Sequence, residues 1–317
     1  MNNDTETVHP TEVIEMSIKY DFSKQKVPQK ERVKTMYKDL IDGLESLVES
    51  DEGWKRFLDL LTVAHRYSFR NGMLIALQCP NASLVMGARK WKDNGRNIKR
   101  GEKAIWILAP TRRRIYTEEQ RERAFMIDTE ERDGEKVEYT IIGFRAVPVF
   151  DISQTEGEPI NIIQPTWEYL GLDRMYNEVM KTVKGHVPVE FLLLEEGLHG
   201  TYSPRLKRIQ INMLYDKDQQ TETLIHEFLH WATHESGIVS EDVWKKFTNN
   251  DHETIVESAS FIVFNYYGFD ISQFTFPYVM QYAGNTDKVE ELGNYVMNLA
   301  DYTINEVNAR LNVGEQL

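Results

Sequence analysis

The sequence predicts an α+β fold in two units, and three observations carry the expectation. The chain has 317 residues, room for two domains of ~100–200 residues each. Charge separates along it. Met86 to Arg114 holds ten Lys/Arg against two acids, a net of +8, whereas Glu241 to Leu317 holds four against twelve, a net of −8, within an overall −13. Hydrophobic spacing also changes character along the chain, from helical repeats to short apolar runs and back.

The elements follow in order. Residues 1–27 read as a polar tail. In the first unit, 28–150, apolar positions first fall at helical spacing (Leu40, Ile41, Leu44, Leu47, then Phe57, Leu58, Leu61, Ala64). Asp51-Glu52-Gly53 divides that stretch into two helices. Ser83 to Gly87 is a short strand, Asp93-Asn94-Gly95 a turn, and Ala104 to Pro110 an apolar run that proline ends. Residues 111–138 are highly charged and read as a protruding hairpin or loop. Tyr139 to Phe150 returns as a strand. Residues 151–164 read as a linker.

The second unit, 165–317, opens with a helix over 167–184 and strands over 187–194 and 207–212. A helix over 221–233 follows, with Leu224, Ile225, Phe228, Leu229 and Ala232 on one face. Another covers 251–267, with Ile255, Val256, Ala259, Ile262, Val263 and Tyr266 turned inward and Gly268 as a left-handed stop. The C-terminus is helical.

Composition excludes several classes. Gly 18 and Pro 10 are too few for a fibrous chain. The single Cys79 can build neither an internal disulfide nor a cysteine zinc site, which fits a reducing compartment. The polar, acidic N-terminus is no signal peptide, and no run of ~18 apolar residues spans a membrane. The expectation is a cytoplasmic protein with no membrane segment.

The sharpest motif is His226-Glu227-Phe228-Leu229-His230. Residues four apart on a helix share a face one turn apart, so both imidazoles reach one ion. Glu227 between them is placed to take a proton from water and pass it to a leaving amine. Zinc suits imidazole and carboxylate donors, with manganese as the alternative ion. The third ligand is Glu257 on the next helix, with Glu253, His234, His252 and Asp242 as rivals. Asn250 reads as the start of a capping box that would occupy Glu253. The strand before the motif helix, Arg208 to Asn212, is the expected edge for an added substrate strand. Tyr202, Tyr266 and Tyr267 are the candidate oxyanion stabilisers.

A second chemistry lies in the basic stretch. Arg89, Lys90, Arg96, Lys99, Arg100 and Lys103 surround Trp91. Cations that follow phosphates and a ring that stacks on bases are the components of single-stranded nucleic-acid binding. Nothing there encodes base readout.

Trp91-x-x-x-Gly95-Arg96-x-x-Lys99-x-Gly101-Glu102-Lys103, with Ile107-x-x-Pro110 after it and Tyr67-Ser68-x-x-Asn71 before it, resembles the N-terminal domain of ArdC-type antirestriction proteins. Val149-Phe150-Asp151-x-x-Gln154-Thr155-Glu156 resembles the junction closing that domain. Tyr202-Ser203-Pro204, Ile209 and the His226/His230 helix are similar to its zincin-like metallopeptidase domain, with Glu257 at the third-ligand position. The resemblance covers about residues 30–270 and departs from the family at Val256, where a small residue is usual. It implies a single-stranded-DNA-binding domain joined to a gluzincin-like peptidase on a mobile element such as a plasmid. The implied partners are single-stranded DNA and a protein substrate, for example of the restriction machinery. Two alternatives share the motifs: a regulatory peptidase of the ImmA/IrrE type cleaving a repressor, and a non-catalytic DNA-coating protein whose metal is structural.

Overall fold

The computed structural model describes residues 18–22, 27–47, 50–124, 127–132, 135–160, 170–269, 276, 279–282 and 284–311. The fold is α+β. Three helices come first, α1 (Gln29–Leu47), α2 (Asp51–Val63) and α3 (Phe69–Gln78). Ser50 caps α2 by accepting from the Gly53 amide, the break the sequence shows. The further break after Val63 divides α2 from α3, where the sequence predicts one helix.

An antiparallel sheet follows. It contains β1 (Val85–Met86), β3 (Ile105–Arg114), β4 (Ile127–Arg132) and β5 (Glu135–Asp151), with β5 in the centre. The short helix α4 (Ala88–Asp93) and strand β2 (Arg96–Ile98) lie between β1 and β3, and α5 (Glu118–Glu122) between β3 and β4. The charged stretch is thus a hairpin of β4 and β5, with β3 running alongside. Pro110 does not end β3. It lies within the strand, paired with Phe144, and is tolerated there because β3 is at the sheet edge.

Side-chain amides satisfy the edges of this sheet. Asn71 donates to the Leu108 carbonyl at 3.0 Å and accepts from its amide at 2.8 Å. Gln78 does the same for Trp106, at 2.8 Å in both directions. Gln29 pairs with both backbone groups of Ala146 at 3.1 and 3.0 Å. Each carboxamide imitates one residue of a neighbouring strand, so these backbone groups are neither orphaned nor open to another chain.

Two expectations at the borders of the first unit are corrected. Residues 18–22 are no tail: Tyr20 and Phe22 are buried and stacked on each other, and Phe22 meets Trp106 edge-on. Burial of two rings outweighs the polar neighbours that suggested solvent. Residues 1–17 lie outside the described residues. The first part of the expected linker is equally built. A 3-10 turn (Ile152–Gln154) leads to β6 (Thr155–Gly157), which pairs with β2. Residues 161–169, which include the end of that linker, lie outside the described residues.

Asp151 anchors this segment. It is fully buried and accepts from the amides of Ser83 at 2.7 Å, Leu84 at 3.0 Å and Ser153 at 2.9 Å. Burial alone would raise its carboxyl, but the bonds from Ser153, Ser83 and Leu84 outweigh it and hold the group below the usual carboxylate range. Asp151→Ala leaves these donors unpaired and is expected to destabilise the fold by about 2–4 kcal/mol, read from urea unfolding. Because the folded pKa is depressed, the contribution of Asp151 is complete above the unfolded carboxylate pKa of ~3.9 and vanishes as pH falls through the folded value. A variant as stable as wild type at neutral pH would refute this role.

The C-terminal half begins with α6 (Leu172–His186). A three-stranded sheet of β7 (Val189–Leu192), β8 (Gly200–Ser203) and β9 (Arg208–Asn212) follows, then helices α7 (Lys217–Glu235), α8 (Glu241–Trp244), α9 (Asn249–Tyr267) and α10 (Thr286–Leu311). All six inward positions expected for α9 are buried. Gly268 ends that helix at φ 78°, in the left-handed region. The core does not divide at the expected boundary. One cluster of buried residues runs from Tyr20 through α1–α3 into α6, α7, α9 and α10. The Trp54 indole of α2 donates to Ser258 Oγ of α9 at 3.0 Å. Helices of the first half thus find their apolar partners in the second, which no local pattern announces.

Candidate metal centre

Helix α7 is started by Asp216, which accepts from the Gln219 amide while Gln219 bonds back, a reciprocal capping box. Its apolar stripe is buried and fixes the rotation of the helix, leaving His226 and His230 half-buried on the adjoining face. Their Nε2 atoms stand 3.2 Å apart, aimed at a common point. Behind the pair, Ser260 Oγ of α9 lies 3.4 Å from His226 Nδ1.

The carboxylate brought to this point is that of Glu253. Ligand atoms of His226, His230 and Glu253 all lie within 4.8 Å of one another. Glu257, the expected third ligand, is one helical turn further along α9 and is not in this group. The reason lies at the start of the helix. Thr248 and Asp251 form the capping box, not Asn250 and Glu253, so Glu253 is released to face the imidazoles. Thr248-x-x-Asp251 is the sequence signal that could have found it.

Electrostatics suit a cation. Burial lowers His226 to about 4. Burial, with His226, His234 and His252 nearby, lowers His230 to about 3. Both rings are therefore neutral at pH 7, with lone pairs free to donate. Burial raises Glu253, and burial together with Glu253 raises Glu257 to about 7. Two neutral imidazoles and a desolvated carboxyl converging on one point form a donor set for a divalent metal ion.

Glu227 is buried beside them. Burial raises it to about 7, against the pull of the Tyr202 amide, which donates to Glu227 Oε2 at 2.6 Å, and with a push from Glu253. Tyr202 belongs to β8, and this bond fixes the carboxylate relative to the strand. Gly200 permits the approach: a Cβ there would lie 2.5 Å from Thr223 Cγ2 and 2.8 Å from the Gln210 carbonyl.

The expected substrate edge is corrected too. β9 is the central strand, parallel to β7 and antiparallel to β8. Both its edges are taken, and the outer strand beside Glu227 is β8. Among the other candidates, His252 is half-buried and stacks on Trp244 at 3.9 Å, with Nε2 3.0 Å from the Trp244 carbonyl. His234 is exposed in the last turn of α7, and Asp242 is exposed on α8. The Tyr266 and Tyr267 hydroxyls bond Asn308 of α10, which makes them core residues. The Tyr202 hydroxyl is buried without a partner.

The basic segment divides. Trp91 is fully buried and donates from Nε1 to the Phe150 carbonyl at 2.8 Å. It cannot stack on a base, because its ring and its N–H are both used in the fold. Arg96 is spent on β6 and its neighbour, donating to the Thr155 hydroxyl and to the Thr155, Gly157 and Glu158 carbonyls. Lys99 Nζ donates to the Ser153 carbonyl at 2.7 Å. Arg89, Lys90, Arg100 and Lys103 are exposed.

Comparison with known proteins adds relatives. An uncharacterised protein of Bacillus anthracis is 24% identical over 331 residues, covering 91% of this chain and 54% of that protein. The chain thus spans about half the length of the curated relative it matches. The crystal structure of the antirestriction ArdC protein from the R388 plasmid in its metal-free form is 16% identical, with a TM-score of 0.48 over 79% of this chain and 87% of that one. Its Mn(II)-bound form gives 16% identity and 0.45 over 77% and 84%. Residues 30–150, the helices and central sheet of the N-terminal half, match the sequence family of the N-terminal domain of anti-restriction factor ArdC.

Proposed function

We propose that this chain is an antirestriction-type protein of a mobile element, with a zinc-dependent peptidase centre that hydrolyses a protein partner and an N-terminal surface that binds single-stranded DNA. One observation carries the peptidase reading: two imidazole Nε2 atoms 3.2 Å apart, with Glu253 in the same group and the buried Glu227 between them in sequence. His226, His230 and Glu253 would hold the ion, which when bound supplies Lewis acidity and an acidified water. Glu227 is the chain's own proton carrier. Raised to about 7, it can take up a proton at neutral pH and release it to a leaving amine. The Tyr202 amide keeps that oxygen in place and β8 offers its outer edge to an extended peptide. A purely structural metal site has no use for a buried carboxylate so held, which disfavours the non-catalytic alternative.

Metal removal tests the reading. Chelated protein is expected to lose peptide hydrolysis and to regain it on adding one equivalent of Zn(II), or of Mn(II) in its place. Hydrolysis untouched by chelation would sink it.

The DNA reading rests on the similarity of residues 30–150 to the ArdC N-terminal domain and on the exposed cations Arg89, Lys90, Arg100 and Lys103. Replacing Lys90, Arg100 and Lys103 by Ala is expected to weaken single-stranded DNA binding and to flatten its log–log salt slope by about 0.7 for each phosphate no longer neutralised. An unchanged slope would place the binding surface elsewhere.

A further inference from the structure

Leu192, Leu193, Leu198, Met213 and Leu214 are five of the ten large apolar side chains left exposed among the described residues, and Leu193 and Leu214 are 70% and 72% open. They are scattered in sequence, but the backbones of Leu192, Leu198 and Leu214 meet at one buried residue, Asn212, with Leu193 and Met213 next to them in the chain. Its backbone amide donates to the His199 carbonyl at 2.8 Å. Its side chain donates to the Leu198 carbonyl at 2.9 Å and accepts from the Leu214 amide at 3.2 Å. Leu192 is its register partner across the sheet, and the Met213 amide donates to the Leu192 carbonyl at 2.9 Å. The apolar platform is therefore built by hydrogen bonds at the end of the sheet. Exposed apolar groups concentrated in this way mark a binding surface.

Its place identifies the occupant. β8 and α7 run side by side, with Gly200 against Thr223 and Tyr202 against Glu227. Passing back along β8 from Tyr202 through Gly200 leads from Glu227 to Leu198, four residues away, ~13 Å in extended chain. Among the described residues β8 pairs with no strand but β9, so its outer edge, apart from the Tyr202 amide held by Glu227, can receive a strand. In antiparallel pairing, a peptide cut beside Glu227 runs toward the platform with its C-terminal side. We infer that the platform selects substrates carrying bulky apolar side chains two to four residues after the cleaved bond. The inference rests on the peptidase reading and adds the chemistry of the substrate to it.

The test gives the full chain, loaded with Zn(II), a random ten-residue peptide library and sequences the new N-termini. Leu, Met, Ile and Phe are expected to be enriched roughly tenfold at the second to fourth positions after the cut. Leu193→Ser with Leu214→Ser should flatten that profile, and Ile41→Ser, a change at an exposed apolar position on α1, should not. A flat wild-type profile, or one the double variant leaves intact, overturns the inference. A second arm needs no turnover. The Glu227→Gln chain is used to capture peptides from the same library. Apolar enrichment among them that the double variant abolishes supports the platform even where nothing is cleaved, in which case the peptidase reading alone fails. A wild-type dimer that the double variant dissolves would assign the surface to a second copy of the chain and overturn the proposal.

Discussion

Glu227→Gln is expected to lower kcat for peptide hydrolysis by about 10²–10⁴-fold, the range that follows removal of a positioned general base. The substitution is close to isosteric. A glutamine oxygen can still accept from the Tyr202 amide, so β8 keeps its seat against α7. What disappears is the ability to take a proton. Metal content and thermal midpoint should stay near wild type, and a fluorogenic peptide assay beside metal analysis and a melting curve reads all three. Hydrolysis that continues undiminished would remove Glu227 from the mechanism and with it the reading of the whole centre.

Glu253→Ala is expected to lower affinity for a divalent ion by more than about 100-fold, whereas Glu257→Ala should cost ~10–100-fold or less, the range of residues that support ligands from behind. The geometry makes the difference: Glu253 shares the 4.8 Å group with both imidazoles and Glu257 does not. Competition with a chromogenic chelator measures both variants on one scale. Should the ranking reverse, Glu257 is the ligand and the capping-box argument for Glu253 fails.

The helices α7 and α9 were legible because their signals are local: apolar stripes at helical spacing, a left-handed glycine, two histidines one turn apart. The choice between Glu253 and Glu257 was not, since both lie on one stripe and only their height along α9, set by how that helix docks on α7, separates them. Trp91 shows the opposite failure. Cations around a tryptophan look the same whether the ring faces solvent or the core, and the bond to the Phe150 carbonyl that decides it comes from a residue distant in sequence. Likewise Asn71 and Gln78 read as ordinary polar helix positions. Their pairing with β3 depends on a strand about thirty residues later. The strand order that makes β8 the outer strand is equally a property of tertiary pairing and not of any one segment.

The bond from Trp54 to Ser258 has a thermodynamic corollary. Helix α2 leans on the same rod that presents Glu253, so occupancy at one end is felt as resistance to melting at the other. An ion held between α7 and α9 would bind the native chain in preference to the unfolded one. At a hundred times its dissociation constant it would add about 2.7 kcal/mol to the unfolding free energy of the entire body, the N-terminal half included. Cellular metal supply would then set how long the N-terminal surface survives, although no ligand atom lies there.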